Sequence, residues 1–210
     1  MKQMQRRCPN SKYVGFGRLR NFRWQINERG FANVVSCHGR WVDGLVYEID
    51  GSDEGKLDIS EGVSKGAYEK RHMPVVVRLA SCSLYRRSVS WVVARGGPGG
   101  VRKLAKHNVS HRGGGGGGKA LVEREAHNVL VYASLVHVTD SGPREEYIDR
   151  INRGLRDAAS LGMQDDYIRN CIRPFIPEPE PAVVVTHGAP ARSRNSSPGG
   201  GGHEPRKGSW

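Results

Sequence analysis

The chain has 210 residues, of which 37% are hydrophobic and 28 are glycine, and a formal charge of +12. That length supports one core-forming domain, and not two once the glycine-rich stretches are set aside. The longest apolar run, VLVYASLVHV at 129–138, is half of the roughly 20 residues a membrane helix needs, and no apolar signal core follows Met1, so the expectation is a cytoplasmic protein with no membrane partner.

Taken in order, YVGFGRLRNFRWQIN (13–27) alternates Phe22, Trp24 and Ile26 against Arg23 and Gln25 and predicts two strands. GRWVDGLVYEI (39–49) is rich in β-branched and aromatic residues between turn formers and predicts another. SDEGKLDISE (52–61) fits a short helix ahead of Gly62, and MPVVVRLA (73–80) a strand. Residues 92–127 hold two glycine clusters with little periodicity and read as a basic, disordered insertion. NVLVYASLVHV (128–138) predicts the last strand.

Two helices follow. PREEYIDRINRGLRDAASLG (143–162) sets Ile148, Ile151, Leu155 and Ala158 at helical spacing, with Glu145 and Glu146 suited to a first turn and Gly162 to a C-cap. DDYIRNCIRPFIP (165–177) restarts at an acidic cap and must stop near Pro174. The tail, 177–210, is rich in Pro, Gly, Ser and Arg and is expected to be disordered. The organisation is therefore one α+β domain over 1–91 and 128–176, interrupted by 92–127.

The basic residues gather in 2–23, 86–124 and from Arg192 onward, in segments that are mostly glycine-rich or terminal. A nucleic acid is accordingly not the expected partner, and RNA association through these segments stays as an alternative. Cys8, Cys37, Cys82 and Cys171 form no CxxC pair, against both a zinc ribbon and a disulfide scaffold. GGGGGGKA (113–120) imitates a phosphate loop, but Ala120 stands where a magnesium-binding hydroxyl belongs and no strand leads in. His107 and His111 are four apart with no third ligand at a recognisable spacing, so neither a metal nor a cofactor is expected. Asn108 and Asn195 begin glycosylation-type triplets that matter only in a secreted chain.

One stretch resists a packing explanation: LDISEGVSKGAYEK (57–70). Glu61 sits at the end of the expected helix, where the macrodipole and the like charges of Asp53, Glu54 and Asp58 disfavour its charged form. A solvated surface carboxylate and a general acid or base both fit this position. Gly62 and Gly66 offer positive φ or close approach to a ligand, and Tyr68 adds a hydroxyl.

VDGLVYEID followed by LDISEGVSKGAYEK resembles the central signature of the gamma-glutamylcyclotransferase family, a V-x-G-x-V-Y type strand, a short helix, Leu-Asp-x-x-Glu-Gly-Val and a Gly-x-Tyr. VLVYASLVHV, the Tyr147 helix and LGMQDDYI resemble its closing strand and helices. The resemblance implies a small mixed β-barrel flanked by helices. It implies a lyase activity, cyclising a γ-glutamyl amino acid or peptide to 5-oxoproline in glutathione-type metabolism, with a small-molecule partner and no cofactor. By the same resemblance Glu61 is the catalytic proton carrier, and Tyr147 and Tyr68 bind substrate. The family's Tyr-Gly-Ser-Asn loop has no counterpart here, which predicts a missing first strand and impaired activity. A non-catalytic binding protein on the same fold is the alternative, and a homodimer stays open.

Overall fold

The structure, a computed structural model, describes residues 1–110 and 123–179. A helix, α1 (Lys2–Arg7), precedes a long hairpin of β1 (Lys12–Ile26) and β2 (Ala32–Glu48). Helix α2 (Gly51–Glu61) and one 3₁₀ turn (Val63–Lys65) lead into β3 (Glu69–Leu79), then into the two-residue β4 (Arg87–Ser88). Helices α3 (Val89–Ala94) and α4 (Gly97–Ser110), strand β5 (Glu123–Ala133), α5 (Glu145–Leu161), α6 (Asp165–Tyr167) and a π-turn (Ile168–Ile172) complete the described chain.

The strands form one sheet in the order β2-β1-β3-β5, with β4 on β1, and every pairing is antiparallel. The architecture is α+β as expected, but the sheet is open. Among the described residues no ladder joins its outer strands β2 and β5, so the expected mixed barrel is corrected to an open antiparallel sheet flanked by helices. The two outer strands are linked instead by the side chain of buried Asn33. Its Oδ1 accepts from Ser134 N at 2.9 Å, and its Nδ2 donates to Ser134 O at 3.0 Å and to His137 O at 2.9 Å.

That amide also explains why the last strand ends early. Backbone groups satisfied by Asn33 are not available to a ladder, so residues 135–138, expected in the strand, leave it and expose Leu135, Val136 and Val138. Gln25 pairs in register with Asn33 and so shares its face. The 134–137 loop covers that face, and Gln25, expected to point outward, is fully buried.

Three apolar clusters fill the layers between sheet and helices. Ile26, Tyr147, Tyr167, Ile172 and Ile176 pack under α5 and the π-turn, with Trp24, Ile148, Ile151 and Leu155 at their margin. This is the apolar stripe anticipated for residues 143–162, and the helix stops where expected, at Gly162 in the left-handed region. Leu19, Met73, Val75 and Val77 form a second cluster on the sheet. The third joins Met1, Tyr13, Leu84, Val89, Val92 and Val101.

The last cluster corrects a further expectation, because Val92 and Val101 lie within the stretch read as a disordered insertion. Most of residues 92–110 is helical, in the end of α3 and in α4, with Val92 fully buried and Val101 3% exposed. Burying such side chains is worth about 1.5–3 kcal/mol each, which ties the segment to the core. Gly96 and Gly97, at φ 79 and 76, form the turn between α3 and α4. Residues 111–122, with the phosphate-loop look-alike and His111, and the tail from 180 lie outside the described residues.

Burial raises the titration of Tyr13, Tyr47, Tyr68, Tyr132, Tyr147 and Tyr167 above the ordinary value of 10, chiefly because the phenolate loses its hydration. The folded chain thus holds protons that the unfolded chain releases, so stability is complete below pH 10 and falls as pH rises through the folded values. Urea unfolding between pH 8 and 12 should show a loss that steepens above 10, with tyrosinate absorbance rising in step with unfolding. A flat stability profile with noncooperative ionisation near 10 would contradict this.

Candidate active site

The local structure of LDISEGVSKGAYEK explains how Glu61 and Tyr68 come to face one space. Asp50 caps α2 by accepting from Asp53 N at 2.8 Å. The helix ends at Gly62, whose φ of 66 and ψ of 39 turn the chain left-handed while its N–H satisfies the last carbonyls, Asp58 O and Ile59 O. Ala67 N then donates to Gly62 O at 3.1 Å, closing the turn and delivering Tyr68 at the head of β3. Glu61 is left on the last helical residue, beside the turn.

There it borders a cavity of about 640 Å³ that Tyr68 and Tyr147 also line, together with Arg7, Phe31, Ala32 and Tyr132. All three sequence-predicted site residues therefore meet in one place, although Tyr147 is separated from Glu61 by 86 positions and arrives from the first turn of α5. Glu61 Oε1 accepts from Arg7 Nη1 at 2.7 Å, and its side chain is 21% exposed. The like charges expected to press on it are answered elsewhere. Asp58 accepts from Tyr132 Oη at 2.7 Å and from Lys70 Nζ at 3.0 Å, and those hydrogen bonds hold its carboxyl below the usual range. Glu54 accepts from the same Lys70 at 2.5 Å.

The two phenols are anchored to the backbone of one residue, Ala32, with opposite polarity. Tyr68 Oη donates to Ala32 O at 2.6 Å, whereas Tyr147 Oη accepts from Ala32 N at 3.4 Å. Tyr68 consequently offers lone pairs to the cavity and Tyr147 offers its proton. Burial, aided by neighbouring Tyr147 and Glu61, pushes the Tyr68 hydroxyl up to about 12. Burial likewise raises Tyr147, against the Ala32 hydrogen bond. Both are neutral at physiological pH. The Phe31 ring meets Tyr147 edge-on, centroids 5.5 Å apart at 89°, and fixes its position.

Replacing Tyr68 by Phe removes the 2.6 Å bond and leaves the half-buried Ala32 carbonyl short of a partner, at a cost of about 1 kcal/mol. The urea midpoint should fall with an unchanged m-value, and an unchanged midpoint would show that the bond contributes nothing.

Several cavity residues escaped the sequence reading. Arg150 lies three positions after Tyr147 and shares its helix face, with its guanidinium 4.9 Å from the Tyr147 ring centroid. Lys65 lies inside the quoted signature. Arg7 and Arg29 carry no signal, since their approach depends on the packing of α1 and on the β1–β2 turn. Among the described residues no group of three His, Cys, Asp or Glu side chains could hold a metal ion. The arrangement can bind a small polar molecule and move protons through one carboxylate.

An open antiparallel sheet flanked by helices, with a single-carboxylate cavity between α2, α5 and the β1–β2 turn, defines the class of this protein. Residues 1–93 match the family described as gamma-glutamyl cyclotransferase, AIG2-like, a segment that includes Glu61 and Tyr68. A solved structure named gamma-glutamyl cyclotransferase is similar at 16% identity, covering 81% of this chain and 79% of its own, with a TM-score of 0.49. So is an uncharacterized protein from Homo sapiens, at 16% identity, 81% and 78% coverage and a TM-score of 0.48. No curated protein matches the sequence.

Proposed function

We propose that this chain is a gamma-glutamylcyclotransferase, which closes the γ-glutamyl group of an amino acid or peptide onto itself and releases the amine with 5-oxoproline. The observation that carries this reading is the convergence of Glu61, Tyr68 and Tyr147 on one cavity, with Glu61 and Tyr68 inside the segment that matches the family.

The residues suit each step. Tyr68, with its proton committed to Ala32 O, accepts from the substrate α-ammonium, and Tyr147 donates to its α-carboxylate. Glu61 takes one proton from the ammonium, and the neutral amine attacks the γ-carbonyl carbon to form the ring C–N bond. The protonated Glu61 then gives that proton to the departing nitrogen as the old C–N bond breaks. The carboxylate next removes the second proton from the ring nitrogen and passes it on to the released amine, which leaves as ammonium. Nucleophile and electrophile are parts of one molecule, so holding the γ-glutamyl arm curled supplies much of the rate advantage. Arg7 keeps the Glu61 carboxylate aimed into the cavity between transfers.

The test is to incubate the purified protein with γ-glutamyl dipeptides and measure 5-oxoproline, with Glu61→Gln as the paired variant. Product from the wild type that disappears in the variant supports the reading, and a wild type that forms none ends it.

A further inference from the structure

Four cations, Arg7, Arg29, Lys65 and Arg150, line the cavity against one carboxylate, Glu61. Only Arg7 is compensated, by its bond to Glu61. Arg150 lies over the Tyr147 ring, its guanidinium 4.9 Å from the ring centroid, and has no side-chain partner of opposite charge among the described residues. Arg29 lies 5.9 Å from the centroid of the Phe31 ring, and neither it nor Lys65 has a side-chain partner of opposite charge among the described residues. His137, also in the lining, is matched by Glu28 at 3.1 Å. Three positive charges therefore face the cavity unanswered.

On the reading that this is a γ-glutamyl site, we infer that the released amine itself bears acidic groups, so that the favoured substrates are γ-glutamyl derivatives of acidic amino acids. The γ-glutamyl moiety common to all such substrates brings one carboxylate and one ammonium, and its single carboxylate answers one cation. A main-chain carboxylate on the amine answers a second. Only an additional carboxylate on the departing amino acid answers the third. A neutral amino acid leaves one cation unanswered in a cavity partly shielded from water, where its field is focused. A basic amine adds a further repulsion. The preference is built from side chains that touch neither proton transfer nor ring closure, so it acts on selection of the amine and not on the chemistry.

The test compares kcat/KM for γ-glutamyl-glutamate, γ-glutamyl-alanine and γ-glutamyl-lysine, read as 5-oxoproline at low salt. The expected order places the acidic dipeptide about tenfold above alanine, and alanine about tenfold above lysine, one charge interaction of ordinary size for each step. The steps should shrink in 0.5 M NaCl, as charge interactions reaching solvent are screened. Arg29→Gln with Lys65→Gln should bring the three substrates together while turnover of γ-glutamyl-alanine persists. Equal or reversed preference in the wild type overturns the inference and leaves the cyclotransferase reading intact. If no dipeptide is turned over, calorimetric binding of the same three decides. Acidic-first binding upholds the charge selectivity while the catalytic reading fails, and binding without that order overturns both.

Discussion

Glu61→Gln is expected to lower kcat for 5-oxoproline formation by about three orders of magnitude while the protein stays folded. A positioned general base is worth roughly 10²–10⁴ in rate, and the amide cannot take the ammonium proton. The substitution keeps the side-chain length and an oxygen that can still accept from Arg7 Nη1, now 2.7 Å from the carboxylate. The ion pair that is lost has both side chains about a fifth exposed, and the retained hydrogen bond to Arg7 offsets part of its loss. Circular dichroism and the urea midpoint should therefore change little. Because the carboxylate acts on protons in flight, kcat and kcat/KM should fall together, with KM nearly constant. Asp58→Asn makes the sharper comparison, since its carboxylate is nearby on the same helix but committed to Tyr132 and Lys70. It should keep most of the activity. Glu61→Gln retaining more than a tenth of the wild-type rate would remove Glu61 from the proposed role.

How far this site was legible follows from how local each part is. Glu61, Gly62 and Tyr68 belong to one short stretch, and a helix end that needs a left-handed residue writes itself as Glu-Gly. Helix α5 was legible because one apolar stripe and both end signals agree. Arg7 and Arg29 were not, because a cation shows no preference in sequence for the cavity it will line. Residues 92–110 misled for a physical reason. Gly96 and Gly97 make a turn between helices, and the same residue type makes a linker, so composition alone does not separate the two until Val92 and Val101 are seen to be buried. Closure of the sheet was likewise unreadable, since it depends on whether β2 and β5 share a ladder. Buried Asn33 binds Ser134 and His137 through its side chain, and its effect on the sheet could not be foreseen from alternation.

Gly15→Ala is expected to cost about 3 kcal/mol or more, a large share of the 5–15 kcal/mol that holds a domain of this kind together. Gly15 lies on the central strand and pairs with Val46 of β2 on one side and Leu79 of β3 on the other. A Cβ there would stand 2.2 Å from Arg78 O, 3.0 Å from Ala80 N and 3.0 Å from Leu79 Cα. All three are backbone atoms, so no rotamer change relieves the clash and the strands themselves must part. The junction has little to spare, for the β1–β3 ladder runs over four residue pairs, Gly15 to Arg18 against Leu79 to Val76. Gly44→Ala supplies the control: it too lies in a strand of the sheet, and a Cβ there meets nothing within 4 Å, so its effect should stay within about 0.5 kcal/mol. Urea unfolding of the two variants side by side decides, and equal midpoints would mean that the close approach at Gly15 carries no strain.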